Sequence, residues 1–138
     1  MKPVMQTRFD EGANALDACV ASILELPLER VPHFTGEGAG WMVALDSFTR
    51  HFGMAVVVIE SRALRYICWP SDVLCIASGH TIHGKMHSVV YLGDKLVHDP
   101  NPSGCGLTGE PLSFTLFVLT NPARTDTVSI VTGRLRKV

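Results

Sequence analysis

The stretch Lys85-Met-His-Ser-Val-Val-Tyr-Leu-Gly-Asp-Lys-Leu-Val-His-Asp-Pro-Asn-Pro-Ser-Gly104 reads as two β-prone runs flanking Gly93-Asp94. A two-residue turn opening on Gly between such runs is a strong hairpin signal. With that turn fixed, Leu92 faces Lys95, and counting outward pairs His87 with Pro100 and Ser88 with Asp99. An imidazole and a carboxylate then meet at one end of a rigid ladder, within reach of a hydrogen bond. A histidine oriented by a carboxylate is the acid–base half of a nucleophilic triad.

The nucleophile is sought at the start of the first helix, predicted over about 13–26. Leu16, Cys19, Val20, Ile23 and Leu24 fall on one face at helical spacing. Asn14 is the expected N-cap, which puts position 15 in the first turn. Orphan N–H groups and the helix dipole favour an anion there, and a thiolate gains from both. Position 15 is Ala, a methyl group where the sulfur belongs.

Gln6 and the run Gly12-Ala-Asn-Ala-Leu-Asp-Ala-Cys-Val-Ala-Ser-Ile-Leu-Glu-Leu-Pro-Leu-Glu-Arg-Val-Pro32, followed by Trp41, Ile76-Ala-Ser-Gly79 and His87 to Gly104, resemble small papain-like, peptidase C39-like proteins of bacteria and phages. The likeness covers about residues 2–106. It implies an α+β papain-like (C39-like) fold with N-terminal helices on an antiparallel sheet. It also implies a nucleophilic Cys at the position of Ala15, a base at His87, an orienting carboxylate at Asp99 and an oxyanion-hole amide at Gln6. Asn14, Trp41, His83 and Met86 are the expected substrate-binding residues. The implied partner is a peptide or protein carrying an amide or isopeptide bond, with no cofactor. The departure is Ala15, so the chain as written is expected to be inactive. An engineered Cys-to-Ala replacement accounts for this, since Gln6, Asn14, His87 and Asp99 are all kept; a natural inactive form is the alternative.

Composition sets the frame. At 138 residues the chain fits one domain, 1–138, large enough to bury a core. Its 46% hydrophobic and 18% charged residues describe a globular chain. A net charge of −1 argues against phosphate neutralisation, hence against nucleic acid as a partner. No basic-then-apolar leader and no apolar run of membrane-spanning length is seen, so the expectation is a cytoplasmic protein with no membrane partner. Cys19, Cys68, Cys75 and Cys105 lack metal-site spacing and are read as reduced thiols, Cys19 in the core.

The helical part is expected over about 13–53, with a second helix over Trp41–Phe52 capped by Gly53. The sheet part follows over about 54–120. Met54–Ile59 is read as a strand buried on both faces, from its continuous apolar run. Further strands are expected at Val73–Ser78, His87–Leu92, Lys95–His98 and Ser113–Leu119. The tail 121–138 is read as an edge strand or partly disordered.

Two other functions fit some of these residues. A catalytically dead binding module would keep the cleft and recognise a peptide or modified side chain. A zinc-dependent hydrolase would use the His80/His83/His87 spacing, although the glycines around it mark a loop and not one face of a helix.

Overall fold

The computed structural model describes residues 1–120; the tail 121–138 lies outside the described residues. Two α-helices precede the sheet: α1 (Ala15–Leu24) and α2 (Trp41–Arg50). The strands are β1 (Met54–Glu60), β2 (Leu74–His80), β3 (Met86–Leu92), β4 (Lys95–His98) and β5 (Ser113–Leu119). They form one sheet in the order β1-β5-β2-β3-β4, with every neighbouring pair antiparallel. The class is α+β.

Side chains alternate across the sheet, and each face has its own core. Leu74, Ile76, Val90 and Phe117 pack with Leu16, Val20 and Ile23 of α1. On the opposite face Cys75, Ala77, Val89 and Phe114 gather Trp69, Tyr91 and Leu107. Trp69 is fixed there by an indole N–H donated to the Gly93 carbonyl at 3.1 Å and a tilted ring contact with Phe114. All ten residues of α1 are buried, so this helix is a core element and not an amphipathic surface one.

Two sequence expectations need correction. Among the described residues β1 is an edge strand, with only Met54 fully buried and Val57 exposed. Its apolar run therefore reflects β-propensity as well as burial, and continuous hydrophobicity alone did not place it inside the sheet. Phe34–Gly40 forms 3₁₀ turns, interrupted at Gly38. A further 3₁₀ segment, Ser61–Tyr66, connects β1 towards β2. α2 ends at Arg50 with His51 as its C-cap, short of the expected Phe52; Gly53, in the left-handed region at φ 73°, closes the turn that follows.

Candidate active site

The hairpin turn lies where the sequence put it, with Leu92 opposite Lys95. The ladder is not unbroken. Tyr91 faces Leu96, but Val90 faces His98, leaving Val97 as an extra residue in a bulge. Without the bulge, Ser88 and not His87 would share a face with Asp99, because a one-residue slip reverses which side chains lie together. With it, His87 Nε2 meets Asp99 Oδ1 at 2.7 Å. The pairing of His87 with Pro100 expected from simple counting is thus corrected by one inserted residue.

Both partners are enclosed, with side-chain exposures of 7% for His87 and 5% for Asp99. The carboxylate is held on every side. Oδ1 also accepts the Asn101 N–H at 2.9 Å, and Oδ2 accepts the Gly106 N–H at 2.8 Å. Burial by itself would raise the Asp99 pKa. The His87 hydrogen bond, the two amides and the charge of His87 outweigh it and hold the carboxyl below its ordinary value. A carboxylate so fixed takes Nε2 as its N–H donor and leaves Nδ1 as the ring nitrogen available to a reacting group.

His87 and Asp99 open into a cavity of about 910 Å³ that Ala15 also lines. Ala15 is the first residue of α1, and no side chain caps that helix start. The N–H groups of its first turn are thereby left to favour negative charge at position 15. Exposed apolar side chains line the cavity from two segments, Phe9 on the lead-in and Ile82 and Met86 around the β2–β3 connection, beside the charged Asp10, Glu11 and Lys85. Trp41, at the start of α2, and His83 also line it.

The lead-in joins this site through contacts far apart in sequence. His98 Nε2 donates to the Val4 carbonyl at 2.8 Å, and the Gln6 N–H donates to the Pro100 carbonyl at 3.0 Å. Gln6 is thereby tied one residue away from Asp99, buried and lining the cavity. Its Nε2 donates one hydrogen to the Arg8 carbonyl at 2.9 Å, which fixes the amide orientation, since a reversed amide would set two acceptors against each other. The other Nε2 hydrogen has no acceptor among the described residues and is open to a second one. Oε1 has no partner among the described residues, a situation that costs about 1–3 kcal/mol for a buried polar atom.

Asn14 is the N-cap of α1, as expected, but its side chain does not cap the helix. Its carbonyl accepts the Ala18 N–H at 3.0 Å, which suits the N-cap position, but its side chain turns back towards the lead-in. Oδ1 accepts the N–H groups of Thr7 (3.0 Å) and Arg8 (2.9 Å), and Nδ2 donates to Thr7 Oγ1 at 2.9 Å. Asn14 is absent from the cavity lining and faces a separate, smaller depression with Arg8 and His33. Its work is to clamp the loop that carries Gln6. The preference of Asn for caps and for turns is one property, so the sequence could not distinguish these uses.

A second His–Asp pair was not anticipated. His33 Nδ1 lies 2.7 Å from Asp17 Oδ2, and the Phe34 N–H donates to Asp17 Oδ1 at 3.1 Å. Burial raises the Asp17 pKa despite those bonds and the charges of His33 and Arg8. The pair ties the segment after α1 back to that helix.

Among the described residues no three His, Cys, Asp or Glu side chains converge as a metal-binding group. The zinc alternative through His80, His83 and His87 is therefore left without a ligand set, and His87 has committed Nε2 to Asp99. Cys19 is wholly buried, and burial, with the charges of Asp99 and Asp17, pushes its thiol well up; it is a core residue. Among the described residues no helix is long and apolar enough to cross a membrane. Compared with known proteins, the chain matches no family model, no curated protein and no solved structure.

Proposed function

We propose that this chain is a papain-like cysteine peptidase or amidase scaffold whose acyl-transfer centre is position 15 with His87 and Asp99. As written, Ala15 leaves it without its nucleophile. The observation that carries the reading is the enclosed His87–Asp99 pair at 2.7 Å, opening into the cavity that receives the first residue of α1.

With sulfur at position 15, His87 Nδ1 takes the thiol proton, and the helix start and the imidazolium stabilise the thiolate. Asp99 holds the ring in one tautomer and balances its charge. The thiolate attacks the amide carbon, and the free Nε2 hydrogen of Gln6 and the N–H at position 15 stabilise the oxyanion, about 3 kcal/mol per donor. The C–N bond breaks, and the amine leaves with the proton from the imidazolium. Water, deprotonated by His87, then releases the acid from the thioester.

The test is Ala15→Cys, reacted with iodoacetamide from pH 4 to 9 and mapped by mass spectrometry. Labelling at position 15 is expected with an apparent pKa well below 8, and this depression should disappear in Ala15→Cys/His87→Ala. An ordinary thiol pKa at position 15 would overturn the reading, leaving a cleft that binds a peptide without cutting it.

A further inference from the structure

Ser113, Ser78 and Ser88 stand directly opposite one another on β5, β2 and β3. Residues paired across antiparallel strands share a face, so the three hydroxyls form one row across the sheet. The row continues the helix-facing side: two residues earlier along β2 the corresponding trio is Thr115, Ile76 and Val90, with Ile76 and Val90 in the core against α1. Where that core ends, the face turns from apolar to hydroxyl, and all three serines line the large cavity. Ser88 adjoins His87 in the chain.

The second observation is Gln6. It is 5% exposed, lines the same cavity, and holds its Oε1 without a partner among the described residues. The Ser78 and Ser88 hydroxyls lie 2.9 Å apart, so one hydrogen is spent between them and one remains for a ligand. The subsite therefore offers both hydroxyl donors and an amide acceptor. Asp99 offers it no free charge, because both its oxygens are occupied by His87, Asn101 and Gly106; the other charged residues of the cavity, Asp10, Glu11 and Lys85, lie on the lead-in and the β2–β3 connection and not on the strands that carry the row. A carboxylate would meet the Gln6 oxygen acceptor to acceptor, and an ammonium would find no counter-charge on these strands. A neutral group with N–H donors and a carbonyl acceptor satisfies every member.

We propose that the serine row Ser113–Ser78–Ser88, with Gln6 Oε1, is a subsite for a primary carboxamide, so that the substrate presents a glutamine or asparagine side chain to this cleft. The carboxamide N–H₂ donates to Gln6 Oε1, and its oxygen accepts from the serine hydroxyls. As a substrate assignment this rests on the acyl-transfer reading, but carboxamide binding itself needs no nucleophile and can be measured on the Ala15 chain.

The experiment is an amide-shift NMR titration of the ¹⁵N-labelled chain with N-acetyl-glutamine methylamide, and separately with its glutamate and norleucine counterparts. The glutamine compound should give saturating shifts at Ser78, Ser88 and the Gln6 side-chain amide, with affinity at least about tenfold above both counterparts; about tenfold is what one well-made hydrogen bond contributes. Ser78→Ala and, separately, the half-buried Ser113→Ala should each weaken it about fivefold or more while the rest of the spectrum holds; if one variant fails to fold, the other decides. Equal responses to the three compounds, absent saturation with glutamine, or full affinity in the serine variants would each overturn the proposal. Activated alkylation of Ala15→Cys alongside a failed titration would leave the acyl-transfer reading standing and remove the carboxamide alone.

Discussion

Removing the Asp99 carboxylate should cost this protein a large part of its stability, with a pH dependence that identifies the cause. Asp99→Ala deletes an acceptor of three hydrogen bonds, from His87 Nε2 at 2.7 Å, the Asn101 N–H at 2.9 Å and the Gly106 N–H at 2.8 Å. The carboxylate is 5% exposed and its histidine partner 7%, so water does not readily replace it. Breaking an enclosed pair by removing one member costs about 3–5 kcal/mol. That is about a fifth or more of the roughly 5–15 kcal/mol that stabilises a domain of this size. Asp99→Asn keeps one acceptor oxygen and should lose less, about 1–2 kcal/mol. Urea unfolding followed by tryptophan fluorescence between pH 7 and 3 measures both. The folded-state pKa of Asp99 lies below its ordinary value of 3.8. Its contribution is therefore complete above that value and is lost as pH falls through the folded pKa. The gap between the parent and Asp99→Ala should hold from pH 7 to 5 and narrow at the acid end. A gap below about 1 kcal/mol at pH 7, or one that does not narrow in acid, would refute the enclosed, ionised pair.

Three further outcomes follow from other parts of the molecule. His33→Ala removes the side-chain bond and the charge that restrain the raised Asp17 pKa; it should cost about 1–2 kcal/mol at pH 7, and less as pH falls and Asp17 takes up a proton, read by the same urea series. Native-state alkylation at pH 8 should label the exposed Cys68 and Cys105 and spare Cys19 and Cys75. Burial raises the Cys75 pKa to about 12, so almost none of it is thiolate at that pH; labelling of Cys75 without urea would contradict this. Gly93→Ala should destabilise by about 2–4 kcal/mol, seen as a lower melting temperature. Gly93 has φ 62° and a Cβ there would lie 2.7 Å from the Ser71 carbonyl oxygen, so conformation and space both demand glycine.

Local patterns carried much of the architecture. The turn at Gly93-Asp94, the strand Lys95–His98 and the left-handed turn at Gly53 all depend on residues a few positions apart, where turn chemistry and periodicity act. Asn14 shows the limit of such reading: a residue whose side chain suits capping also suits a loop clamp, and only the fold decided that the side chain serves the Thr7–Arg8 backbone and not the first turn of α1.

The sequence by itself determined that a histidine and a carboxylate lie near each other on one hairpin, and that an alanine begins the first helix. Their spacing is short and the hairpin turn is specific. Only the tertiary structure decided that they act in one place. The Val97 bulge reverses side-chain parity on the second strand, a shift with no strong composition signal. Gln6 reaches Pro100 across the whole sheet part of the chain, and three serines from strands up to 35 residues apart align into a row. Those placements come from strand order and register, which are set by the burial of whole faces against α1 and not by the residues that end up lining the cavity.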